Sequence, residues 1–163
     1  MNVRRSIAAA AVLLAAPVLS SCGVSFGAQT DQVYNPSAGV DDRSGEVDVL
    51  NALIVSGTDG SGTVVATLVN NDQGNDDRLT KVTGAGADAK LTVTPGGETS
   101  IPAAGLLNLA TKGSIAVRGQ RVVPGNFVKL TFSFDRAEMI TVDVPVLSAT
   151  DPDYADVPLP SGS

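Results

Sequence analysis

The sequence contains no histidine, no tryptophan and one cysteine, and aromatic residues make up only 4% of its 163 positions. Each shortage closes a class of function. Without histidine there is no serine–histidine–carboxylate triad, no cysteine–histidine pair and no HExxH zinc helix. The usual imidazole ligand for zinc or copper is missing as well. Lack of tryptophan and scarcity of other aromatics leave no carbohydrate-stacking platform. A single cysteine can form no disulfide within the chain, so a folded domain must be held by its own core, and the length allows that.

That cysteine, Cys22, ends the stretch Leu19-Ser20-Ser21-Cys22. An aliphatic residue three positions before a cysteine, with small residues between, is the pattern of a bacterial lipobox. The preceding residues have the other parts of an export signal. Arg4 and Arg5 form a positive start, and residues 7–18 (IAAAAVLLAAPV) form a short apolar stretch. Those 12 residues fall short of the about 20 that a membrane-spanning helix needs. Residues 1–21 are therefore expected to be a lipoprotein signal peptide. Cys22 is expected to be the lipid attachment site, anchoring the protein to the bilayer at the extracytoplasmic face of the cell membrane.

Loss of the signal removes both of its arginines, leaving 9 basic residues against 17 acidic and a net charge of −8. With only four lysines in the whole chain, this acidic balance argues against nucleic acid as a partner, which needs clustered positive charge.

Residues 22–44 mix Gly, Ser, Gln, Asn, Asp and Pro without period and read as the lipidated cysteine followed by a flexible tether. As a coil they span on the order of 25 Å. Phe26, Val33 and Tyr34 are more apolar than a spacer needs, which leaves docking of the arm open. From residue 45 to 147 the texture is β. Residues 47–55 (VDVLNALIV) are apolar at both parities, as in a strand buried on two faces. Residues 63–69 (TVVATLV) follow a Gly- and Ser-rich turn. Shorter strands are predicted at 78–83, 90–94, 100–102, 105–110 and 114–117.

The last two strands are the clearest. Val128, Leu130, Phe132 and Phe134 alternate with polar residues, as do Ile140, Val142 and Val144, and a short turn joins the two runs as a hairpin. No helical period persists beyond the signal. The fold class is all-β, an antiparallel β-sandwich of seven to nine short strands. Residues 148–163 (SATDPDYADVPLPSGS) read as a disordered Pro-rich tail.

Two motifs resemble functional ones. Gly84-Ala85-Gly86-Ala87-Asp88-Ala89 fits a loose dinucleotide fingerprint, but strand material closed by Pro95 follows where a helix is required. Asp72, Asn75, Asp76 and Asp77 could offer oxygens to calcium, yet they lack the EF-hand spacing and its closing glutamate. A solvated acidic loop is the expectation there. Asn35-Pro36-Ser37 is not a glycosylation acceptor, because its middle residue is proline.

Four stretches resemble the copper chaperone PCu(A)C family, small exported domains with a cupredoxin-like β-sandwich. They are residues 47–53 with the early Asn51, and Leu68-Val69-Asn70-Asn71 followed by Asp77-Arg78-Leu79. The third is Ile101-Pro102-Ala103-Ala104-Gly105, and the fourth is residues 130–137 with 140–146. The resemblance implies a cupredoxin-like fold across about 100 residues. It also implies Cu(I) bound by histidines and methionines, including a His-x-Met pair shortly after the Ile-Pro-Ala-x-Gly turn. At that place this sequence has Ser114-Ile115-Ala116. The upstream ligand segment is shortened to about residues 90–97 and holds neither residue type. Met139, the only methionine after the signal, lies away from any family ligand position. Soft Cu(I) prefers sulfur and imidazole donors.

The expectation is thus a non-catalytic lipoprotein without metal or cofactor, binding another envelope protein. The alternative is copper handling through a non-standard or partner-completed site, such as carboxylates with Met139. An enzyme would have to rest on carboxylates alone, and none sits in an identifiable cleft motif.

Overall fold

A computed structural model describes residues 38–57, 59–111 and 114–160. The lipobox residues Leu19, Ser20, Ser21 and Cys22 lie outside them. Among the described residues there are ten strands: β1 (Val40–Asp42), β2 (Val47–Ser56), β3 (Ser61–Asn70), β4 (Asp77–Gly84), β5 (Thr92–Thr94), β6 (Ser100–Ile101), β7 (Leu106–Asn108), β8 (Ile115–Arg118), β9 (Phe127–Phe134) and β10 (Ile140–Ser148). No helix among the described residues is long and apolar enough to cross a membrane.

The strands run in the order β5-β8-β3-β2-β10-β9-β4-β6, with β1 added on β2 and β7 on β3. This curled sheet closes over one core as a cupredoxin-like sandwich. β2 is buried on both faces, as its unbroken apolar run predicts. Val47, Val49, Leu53, Ile54 and Val55 are all fully buried. Val47, Val49 and Ile54 share one core with the alternating residues of the final hairpin: Val128, Leu130 and Phe132 from β9, with Val144 and Val146 from β10. Burial of each such side chain stabilises the fold by about 1.5–3 kcal/mol.

The sandwich differs from the antiparallel expectation at one seam. β10 pairs antiparallel with β9 from Ile140 to Pro145, and then parallel with β2 through Val146, Leu147 and Ser148. Proline at the changeover has no N–H to give to a ladder, and a strand that changes partners there links the two halves of the sheet.

The tether also contributes more than a spacer. Its last residues form β1 on the edge of β2, at a bulge where Asn51 has φ +49. Asn51 N donates to Asp41 Oδ1 at 2.7 Å, and Gly39 N donates to Asn51 Oδ1 at 2.9 Å. Asparagine suits this place because it tolerates the left-handed region and its amide can bond a nearby backbone group.

The segment after β10, for which composition leads to an expectation of disorder, contains a short local turn. Asp151 caps a 3₁₀ turn at Pro152–Tyr154 by accepting from Asp153 N at 3.1 Å, with proline at the start of the turn. Farther on, Thr63 Oγ1 donates to Pro158 O at 2.5 Å.

One end of the sandwich is tied by two buried polar residues. Asn70 is 2% exposed. Its side chain donates to Asn75 O and Ile101 O and accepts from Asp72 N, while its own N–H donates to Gly105 O. Asp77 Oδ1 accepts from Arg78 N, Asp135 N and Arg136 N, and Oδ2 accepts from Ala137 N. Burial works to raise the Asp77 carboxyl, but these four backbone donors outweigh it and hold it below its ordinary value. The nearby Ile-Pro-Ala-Ala-Gly turn places Ala104 at φ +50 and bonds it to Asp72 O at 2.8 Å.

Two outcomes are expected. Asp77→Ala strands four backbone donors and lowers stability by about 2–3 kcal/mol. Because the folded Asp77 carboxyl is depressed, its stabilisation is complete above the unfolded value of about 3.9 and is lost as pH falls through the folded value. Denaturant titrations from pH 5 to pH 2 should therefore show a shallower acid decline in Asp77→Asn than in the wild type; identical slopes would contradict this. Ala104→Gly relieves a left-handed alanine and should raise stability by about 0.5–1 kcal/mol, seen as a higher denaturation midpoint. A lower midpoint would show that the turn carries no such strain.

Candidate functional site

The strand that the family resemblance marks is β8. Its parity separates two surfaces. Ile115 and Val117 point inward and are buried, while Ala116 is half-buried on the other side and Ser114 just before it is exposed. Ala116 stands opposite Thr63 of β3 and Thr94 of β5, so the row Thr63–Ala116–Thr94 runs across three strands. Directly opposed residues put their side chains about 5 Å apart, which makes this row one continuous small-residue face.

Two features close over that face. The loop after β5 passes so near β8 that a Cβ on Gly96 would stand 2.4 Å from Ser114 O. On the other side comes the C-terminal segment. Pro158, Leu159 and Pro160 border a concavity of about 240 Å³ together with Thr63, Thr94, Ser114 and Ala116. Thr63 is only 3% exposed, and its hydroxyl reaches the segment through the bond to Pro158 O. The side chains offered here are hydroxyls, a methyl group and proline rings. Such hard or apolar groups are poor ligands for Cu(I), which takes soft sulfur or imidazole donors.

Behind β8, Ile115 and Val93 join Leu79 and Val82 around an apolar cavity of about 180 Å³ between β4 and β5. Glu98 is the one carboxylate that lines it, together with Lys81.

Met139, the alternative sulfur donor, is 70% exposed in the turn between β9 and β10. A shallow hollow there brings it together with Ser133, Phe134, Ala137 and Glu138. Among the described residues no three His, Cys, Asp or Glu side chains gather as a metal site.

The acidic loop has a different use from metal binding. Asp72 Oδ1 accepts from Gly74 N at 2.8 Å and Asn75 N at 3.2 Å, and Oδ2 lies 3.6 Å from Arg136 Nη2. The bond from Gly74 leads the interactions that hold the Asp72 carboxyl below its ordinary value. Asp76 Oδ1 accepts from Ala103 N, and Asp77 serves the hairpin turn. Each carboxylate faces a different set of backbone donors. The loop read as merely solvated is a fastening between β3, the Ile101–Gly105 turn and the last hairpin. The Asp-x-Gly order at residues 72–74 is the signal that finds it, since Asp commonly bonds the backbone two residues on.

The glycine-rich motif resolves in the same way. Gly86–Asp88 is a single 3₁₀ turn rather than the start of a helix. A Cβ on Gly84 would stand 1.9 Å from Asp88 O, so glycine is required for close packing of the turn on β4. Asp88 is buried and accepts from Lys129 N at 2.9 Å, while Arg121 Nε lies 3.2 Å from its other oxygen. The motif is a structural corner joining β4 to β9.

No protein-family model matches the chain, and no curated protein sequence matches it. Solved structures do. A copper-bound PCuAC domain from PmoF2 is similar at 17% identity and a TM-score of 0.54, over 67% of this chain and 98% of that one. The apo PmoF2 PCuAC domain is similar at 18% identity and the same TM-score, over 68% of this chain and 97% of that one. Identity this low is informative about shape alone, and by shape this chain has a PCuAC-like fold.

Proposed function

We propose that the protein is an exported lipoprotein, anchored by lipid on Cys22 to the outer face of the plasma membrane. In this reading its PCuAC-like domain is non-catalytic and acts by binding another envelope protein. The observation that carries the proposal is the composition of the β8 face. Where the resembled family sets its histidine and methionine, Ser114 and Ala116 stand beside Thr63 and Thr94, and the sequence has no histidine at all. A fold kept without its donor chemistry is suited to contact rather than to catalysis or metal transfer.

The anchor rests on residue pattern: Arg4 and Arg5, the apolar stretch, and Leu19-Ser20-Ser21-Cys22. One acyl chain holds a protein to a bilayer only marginally, whereas two or more hold it firmly. Diacylglyceryl modification of Cys22 meets that requirement. The segment between Cys22 and β1 then separates the domain from the head groups.

Copper handling through a partner-completed site is the competing reading, and the shared shape with a copper-bound PCuAC domain supports it. The exposed Met139 and scattered carboxylates give such a site little to start from.

The experiment is a membrane pull-down after cross-linking, wild type against Cys22→Ala. Wild type should carry lipid mass, partition into membranes and recover a reproducible envelope protein. Cys22→Ala should lose the lipid mass and the membrane fraction while its domain melts as before. A Cys22→Ala protein that stays in the membrane with no lipid mass lost contradicts the anchor. A wild type that recovers no reproducible partner contradicts the interaction role.

A further inference from the structure

We propose that the Thr63–Ala116–Thr94 face is a receptor for an extended, proline-flanked apolar peptide, and that the chain's own residues 157–160 are its resident occupant. A partner presenting such a segment would bind by displacing them. This deepens the interaction reading above and rests on it for the existence of a partner.

The sequence Val157-Pro158-Leu159-Pro160 is stiff for a local reason. Proline fixes its own φ near −65°, and a residue before proline is pushed toward extended geometry. Val157 and Leu159 both precede proline, so both are biased away from helical geometry, and Pro158 and Pro160 have φ fixed. A ligand already in its bound shape gives up little conformational freedom on docking.

The receptor side matches this segment in shape and polarity. Extended backbone at a proline leaves carbonyl oxygens that no neighbouring N–H of the segment satisfies. Thr63 supplies a hydroxyl to one of them, Pro158 O, at 2.5 Å. The flanking positions Ala116, Ser114 and Thr94 are small enough for proline rings and a leucine to approach a sheet face. The concavity of about 240 Å³ is bordered by these residues together with Pro158, Leu159 and Pro160.

Leu159 is 42% exposed, so the occupant fills the face only in part. The run-up to the segment is anchored as well. Asp151 caps its turn, and Val157 N donates to Tyr154 O at 3.1 Å. Because the segment belongs to the same chain as the face, its docking is favoured by a high effective concentration. A partner therefore competes against a weak ligand that is always present.

The test compares the full chain with a chain ending at residue 156, each followed by backbone amide NMR. The probe is a synthetic peptide of residues 151–160. Truncation should move the amide signals of Thr63, Thr94 and Ala116, and saturating peptide should return them to their wild-type positions. Full-length protein should need at least tenfold more peptide for the same change, and a peptide with both Pro158 and Pro160 replaced by alanine should bind at least tenfold more weakly. Thr63→Val in the full chain keeps the side-chain shape but removes the donor, and should move the same signals part of the way.

Signals unmoved by truncation would show that the tail does not occupy the face. Signals unmoved by peptide would show that the face is no receptor, and equal binding of the alanine peptide would remove the proline requirement. The titration uses no membrane and no envelope partner, so its failure is separable from failure of the pull-down.

Discussion

The buried carboxylate of Asp77 is the constraint around which one end of the molecule is arranged. A β-sandwich core is non-directional: apolar residues of about the right size will fill it. Loops between the strands need directed interactions, and Asp77 accepts four at once, one from Arg78 N of β4 and three from the turn that joins β9 and β10. Asn70, equally buried, fixes the acidic loop and the Ile101–Gly105 turn beside it. In a low-dielectric interior such satisfied networks are strong, and a half-satisfied one is costly. The register of three chain crossings at this end therefore depends on two side chains.

These fastened loops accompany a shape shared with PCuAC domains at only 17–18% identity. Residues that carry the resemblance in sequence are those that lock backbone geometry. Asn51 accepts a left-handed conformation at the β2 bulge, Asn70 and Asp77 organise loops, and Ala104 sits at the strained point of a turn. None is a metal donor. Shape and ligand chemistry occupy different residues, so the shape can persist while Ser114 and Ala116 stand where donors would be.

Much of the fold is legible in the sequence because it is local. The strict alternation of β9 and β10 and the two-faced run of β2 announce their burial directly. The parallel contact of β10 with β2 is not legible, because it joins residues some 90 positions apart and no local period encodes it. The same holds for β1, whose pairing with β2 is fastened by Asp41 accepting from the amide of Asn51. At the candidate site, the family resemblance singles out β8, while nothing local in the sequence pairs it with Pro158, Leu159 and Pro160. Composition makes the Pro-rich tail read as disordered, and its bond to Thr63 spans 95 positions, which no local pattern encodes.

In the proposed function the domain keeps a PCuAC-like shape and serves protein contact without Cu(I) chemistry. A Cu(I) titration of the full chain against a competing chelator tests it most directly. The account predicts that the chelator keeps its copper, with no withdrawal beyond that caused by buffer. Withdrawal of one Cu(I) per chain, abolished by replacing Met139, would contradict it.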